Sequence, residues 1–166
     1  MHRALIFLFL LFLAAFPAHV AAENLDPITT NRPDFTESTI TLLEKEFQLE
    51  VGSTMQWFKS GNSAGIPEAL LRYGFTDVAE LRLQFPDYNF TRDRKERDAG
   101  FGNSYVGFSF RLRPLPNGDE VTVMPAVNLS TGAKSYSNDS IDPEVRLCWS
   151  RDLSENWSLS MMGFAL

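Results

Sequence analysis

Eight charged residues are each flanked on both sides by apolar neighbours: Glu50, Glu68, Arg72, Glu80, Arg82, Arg111, Glu144 and Arg146. The stretch LLRYGFTDVAELRLQF, residues 70–85, shows the pattern, with Arg72, Glu80 and Arg82 set beside Leu71, Leu81 and Leu83. Two chemistries suit such a set. Paired carboxylates, for example Glu80 with Glu144, could carry general acid–base catalysis. Opposed acids and bases lining a water-filled passage would instead create a transverse field that selects polar or charged small solutes. Other chemistries lack their residues. Both histidines, His2 and His19, lie in a leader segment, so the mature chain has none for a Ser-His-Asp triad, a Cys-His pair or the usual zinc sites. Cys148 is the single cysteine; it has no disulfide partner within the chain and reads as a buried, unreactive thiol. Gly100-Phe101-Gly102 opens a strand-like segment, not a helix, and so does not read as a nucleotide loop. No catalytic residue, metal ligand or cofactor is expected.

The leader sets the compartment. An uncharged apolar run from Ala4 to Phe16 follows Met1-His2-Arg3, and Val20 and Ala22 supply small residues before a cut at Glu23, which is the form of a secretory signal peptide. Thirteen residues are too few for a membrane span, which needs about 20. Removing residues 1–22 takes Arg3 and leaves 14 Lys plus Arg against 21 Asp plus Glu, a net charge of −7. That balance argues against nucleic acid as a partner.

The elements that must position the charges are strands. From Glu46 onward, segments of about ten residues alternate with period two between Gly, Asn, Asp and Ser clusters. Seven are predicted: 46–58, 66–75, 79–90, 101–113, 120–131, 143–151 and 156–165. Phe47, Leu49 and Val51, then Leu71, Tyr73 and Phe75, then Leu81, Leu83 and Phe85 fall on one face; the eight charges fall on the other. Four acids and four bases make an expensive dry core, so the polar face is expected to line water or to pair across a wet interior. In a barrel, an apolar face of this kind meets lipid. About ten residues tilted near 45° rise roughly 24 Å, close to the apolar band of roughly 25 Å in outer-membrane barrels. Trp57, Tyr73, Phe75, Phe85, Trp149 and Trp157 fall near segment ends, where an aromatic girdle would sit. Long polar links are expected after the first, third and fifth segments and short ones after the second and sixth, the phase of a barrel entered from the periplasm. The run RDRKERD, residues 92–98, reads first as a solvated loop, with lipopolysaccharide phosphates as the alternative contact.

TTNRPDFTEST (29–39), FQLEVGSTMQW, LLRYGFTDVAELRLQF, GFGNSYVGFSFRL and PAVNLSTGA together resemble the family of outer-membrane transporters associated with the meta-cleavage pathway of phenol degradation. The resemblance implies an antiparallel outer-membrane barrel with a channel or uptake role, and it marks Arg32, Pro33, Asp34, Phe35, Thr36 and Glu37 as a family motif. Two readings of that motif stand side by side. It folds back against the periplasmic mouth or into the lumen and pairs with residues such as Arg72 or Glu80, or it is a polar lead-in capped by Asp34 and Thr36.

The sequence therefore predicts an all-β, antiparallel transmembrane barrel of the outer membrane, in three parts: signal peptide 1–22, periplasmic lead-in 23–45 and barrel strands 46–166. Seven strands leave no closing partner, so the chain is expected to be the N-terminal portion of a longer barrel. The expected partners are outer-membrane lipid and small solutes, and the resemblance implies aromatic ones among the solutes. A barrel with a plugged lumen, a barrel enzyme and a soluble secreted β-sandwich are the alternatives.

Overall fold

A computed structural model describes residues 28, 30, 36–93, 97–112, 115, 117–138 and 140–166. The signal peptide and motif residues Arg32 to Phe35 lie outside these. The described residues form one antiparallel sheet, curled into a half-barrel, with no helix among them. Its strands are β1 (Phe47–Trp57), β2 (Gly61–Thr76), β3 (Ala79–Phe85), β4 (Tyr88–Asp93), β5 (Arg97–Phe101), β6 (Ser104–Arg111), β7 (Glu120–Leu129), β8 (Asp142–Ser154) and β9 (Trp157–Ala165).

Nine strands reduce to seven that cross the sheet. β2 pairs with β3 along Ala69–Thr76 and with β4 along Gly61–Ile66, so β3 and β4 are one strand interrupted at Pro86-Asp87. β5 and β6 are likewise one strand interrupted at Gly102-Asn103, pairing with β4 and β3 in turn. Pro86 has no N–H to give the ladder; across the gap Gly102 N donates to Asp87 O at 2.8 Å. The irregularity continues into the next pair of strands. Between Gly52↔Glu68 and Thr54↔Gly65, β1 has one residue and β2 has two, a bulge that reverses which side chains of β2 face outward.

Two links differ from the sequence expectation. The first is only Phe58 to Ser60, closed by Phe58 N donating to Gly61 O at 2.8 Å, because the small polar residues Gly61–Gly65 pair with β1 and β4 and become strand. β4 and β5 extend into the third link in the same way. Pairing with neighbours overrides loop-like composition. Of the three links expected to be long, the β7–β8 link, residues 130–141, remains so.

Side-chain distribution is inverted relative to a water-soluble sheet. The largest fully buried side chains are Arg72, Arg82, Met124, Glu80, Thr122, Cys148 and Ser109, all on the concave face, while Trp57 is 77% and Trp157 73% exposed. β1 and β9 each pair along one edge only among the described residues.

Residues 36–46, of which 36–45 belong to the lead-in expected from the sequence, run across the concave face as a strap and leave it at Gly74. Lys45 N donates to Gly74 O at 2.7 Å and Gly74 N to Glu46 O at 3.0 Å, while a Cβ at Gly74 would lie 2.0 Å from Leu43 O. Backbone cannot yield as a flexible side chain would. Gly74→Ala is therefore expected to push the strap off β2 and destabilise the fold by about 1–3 kcal/mol, read as a lower denaturation midpoint in detergent. An unchanged midpoint would show that the strap does not pack at this glycine.

Candidate functional site

The charged residues of the concave face join into one alternating ladder. Arg72 lies directly opposite Arg82 on the neighbouring strand, and two cations so placed repel. Glu80 resolves the conflict. Its Oε1 accepts from Arg72 Nε at 3.0 Å and Arg82 Nη1 at 3.1 Å, and its Oε2 accepts from Arg72 Nη2 at 2.9 Å and from the strap's Leu42 N at 2.9 Å. Beyond Arg72 the ladder reaches Glu50 at 3.3 Å. Beyond Arg82 it reaches Glu37 of the strap at 2.6 Å, then Arg146 at 2.8 Å and Glu144 at 2.6 Å. Glu37 thus bridges β3 to β8.

Further strap contacts tie it across the sheet. Arg72 Nη2 donates to Ile40 O at 3.0 Å, and Thr122 Oγ1 to Thr39 O at 2.7 Å. Thr39 Oγ1 donates to Glu120 Oε2 at 3.0 Å and lies 2.7 Å from Ser150 Oγ. Near the exit, Thr41 Oγ1 donates to Asp77 O at 3.1 Å.

These contacts correct the expectation of a water-lined interior. Arg72, Glu80 and Arg82 are 1%, 0% and 2% exposed. The strap fills the space that water would occupy, and interleaved opposite charges make the burial tolerable, although Arg82 Nε finds no partner among the described residues. Six of the eight expected residues, Glu50, Arg72, Glu80, Arg82, Glu144 and Arg146, are brought together. Arg111 stands apart, paired with Glu120 at 2.5 Å. Glu68 is also outside the ladder, toward the other end of the trough; around Gly65, the position of an added Cβ is 2.9 Å from Asp87 Oδ2, 3.1 Å from Asn89 Oδ1 and 3.5 Å from Glu68 Oε1.

Thr39, Glu120 and Ser150 complete the site and were not singled out from sequence as site residues. Strand parity with Thr122 was a signal for Glu120; Thr39 carried none. Of the family motif, Glu37 joins the ladder through Arg82 and Arg146, partners other than Arg72 and Glu80.

The trough is covered at both ends. The strap occupies the end bearing the short turns, residues 77–78 and 155–156. At the opposite end the β7–β8 link folds over the concave side of β4 and β5: Ala133 N donates to Phe101 O at 2.8 Å, and Tyr136 Oη lies 3.1 Å from both Thr91 Oγ1 and Asp98 O. Outside the strap, in the turn before β7, Asp119 contacts Arg151. Burial acts to raise its carboxyl pKa, but hydrogen bonds from Arg151, Trp149 and Asn117 outweigh it and hold the group below its ordinary value.

Family comparison agrees with this architecture. The family model described as "Putative MetA-pathway of phenol degradation" matches residues 30–165, which include the strap, the ladder and all nine strands. The chain belongs to this family. No curated protein and no solved structure matches it.

The ladder also sets an order of mutational cost. Glu80→Ala removes the acid shared by two buried guanidiniums and is expected to destabilise by about 3–5 kcal/mol. Glu44→Gln removes an exposed pair with Lys45, of side chains 52% and 80% accessible, and is expected to cost no more than about 0.5 kcal/mol. Arg82→Leu, which a wet lumen would tolerate, is expected to behave like Glu80→Ala. Denaturant titration of the three variants in one detergent checks the ranking; equal costs would mean that the ladder is solvated.

Proposed function

We propose that this chain forms the wall of an outer-membrane channel for small polar or charged solutes, with the strap regulating passage. The observation that carries the reading is the inverted distribution of side chains: an apolar, exposed outer face around a concave face built of paired charges. In water the outer face would be costly; in a bilayer it is the low-energy surface. Several strands are long enough to cross, with 16 residues in β2 and 13 in β8. The short turns and the strap would lie on the periplasmic side and the long β7–β8 link outside. Aromatic solutes are suggested by the family description alone.

The strap favours a second reading, a barrel plugged for structural purposes. The two differ in whether the strap can leave. Its hold on the far side of the trough rests on Thr39 and on Glu37, and Glu37 is itself partly exposed at 18%. In the channel reading, Glu37→Ala weakens the strap and raises single-channel conductance or liposome swelling, while the barrel stays folded. Conductance that stays at background with the strap weakened favours the plugged barrel.

Leu81→Arg tests the membrane itself. Leu81 points outward between Glu80 and Arg82, so the new charge would enter lipid at a cost of about 2–4 kcal/mol near the midplane. Folded yield in the outer-membrane fraction should fall sharply. Recovery of the unmodified protein as a soluble periplasmic species would sink the barrel channel in favour of a secreted sandwich.

A further inference from the structure

We propose that the outer rim of the β4–β5 hairpin binds phosphate groups of outer-leaflet lipid through Arg92 and Arg97. The proposal rests on the outer-membrane reading above. Its first support is a register that is unfavourable in isolation. Arg92 and Arg97 are direct cross-strand partners, both exposed, and no anionic side chain among the described residues pairs with either. Like charges directly opposite destabilise a hairpin unless an anion lies between them.

The second support is the face they occupy. In the β4–β5 register, Tyr88↔Phe101, Phe90↔Ala99 and Arg92↔Arg97 follow at two-residue steps and so share one face. That face is the outer one: Tyr88 and Phe101 meet edge to face at 5.3 Å, and Tyr88, Phe90 and Phe101 are 43%, 36% and 57% exposed. The residues between them turn inward. Asn89 lies toward Asp87, and Gly100 lies beneath Ala133. An aromatic cluster followed by a cation pair is the order in which a surface crosses from hydrocarbon to headgroup. Two residues of strand rise about 7 Å along the strand, or roughly 5 Å along the membrane normal with tilt, which places the pair at headgroup level above Phe90.

Among the described residues the nearby acids do not compete. Asp98 Oδ1 accepts from Ala99 N at 2.9 Å, and Asp93 lies opposite Gly61, one residue out of phase with the outward face. From inside, Tyr136 braces the hairpin through Thr91 and the Asp98 carbonyl, so the arginines project from a supported ribbon. Two guanidinium forks side by side suit the oxygens of a phosphate monoester, which each can engage through two N–H groups.

The test uses the full chain purified from membranes and reconstituted in phosphatidylcholine vesicles doped with lipid A or with its dephosphorylated form. Each arginine should contribute roughly five-fold, so Arg92→Ala with Arg97→Ala should lose about twenty-five-fold in lipid A affinity without losing insertion. Arg97→Glu separates docking from hairpin stability, since it creates an opposite-charge pair with Arg92. It should raise thermal stability and still abolish the preference for lipid A. Inorganic phosphate should not displace the lipid; displacement would identify a free-anion site and overturn the lipid assignment. Equal binding of lipid A by the wild type and the double variant, or of phosphorylated and dephosphorylated lipid by the wild type, overturns the proposal. Failure of the wild type to enter vesicles at all would instead overturn the membrane reading on which it rests.

Discussion

Glu80 is the group on which the rest of the interior depends. The twin cations Arg72 and Arg82 face each other across adjacent strands, and without an acid between them the β2–β3 pairing would bury two repelling charges. Glu80 shares Oε1 between both arginines, gives Oε2 to Arg72 as well, and with that same Oε2 still accepts the amide of Leu42. It therefore fixes the strand register and the path of the strap at once. A hydrophobic trio of similar volume could pack as stably in general, but it would offer the strap no such directional anchor. The charges buy position.

From Glu80 the ladder runs outward in both directions, and each step joins elements distant in sequence. Glu37 connects β3 to β8, partners separated from it by 45 and 109 residues. Thr39, with Glu120, Ser150 and Thr122, secures the same strap to β7 and β8. A curled sheet with a one-sided core can flatten or twist; a strap bonded to four of its strands restrains that motion. The strap's two ends are held differently, the far end by ion pairs that are partly exposed and the near end by backbone bonds at Gly74.

The two faces of the sheet differ in chemistry. On the concave face acids and bases alternate in ion pairs, and small residues such as Gly107 and Ala126 leave room for Tyr105, whose ring carries Arg146 at 5.3 Å. On the outer face aliphatic and aromatic side chains stand in rows, with the Tyr88–Phe101 pair continuing them above the bulged zone. The bulges at β1–β2, Pro86-Asp87 and Gly102-Asn103 lie beside one another across the sheet, so the change of side-chain phase occurs in concert and the outer face stays apolar through it.

Period-two alternation by itself determined the all-β class, the seven crossing strands and the face of each charge, because side-chain direction in a strand follows from local backbone geometry. Leu81 and Arg82 were separable on that ground alone. Tertiary structure decided what the charged face touches. Alternation cannot tell a wet lumen from a dry one, since that depends on whether another segment fills the space, and Thr39 to Glu46 has no pattern that announces a strap. It also decided the first and third links, where residues of loop-like composition become strand through pairing with neighbours. Parity marked Arg72 and Arg82 as sharing a face, but only the register set them opposite each other and made Glu80 indispensable.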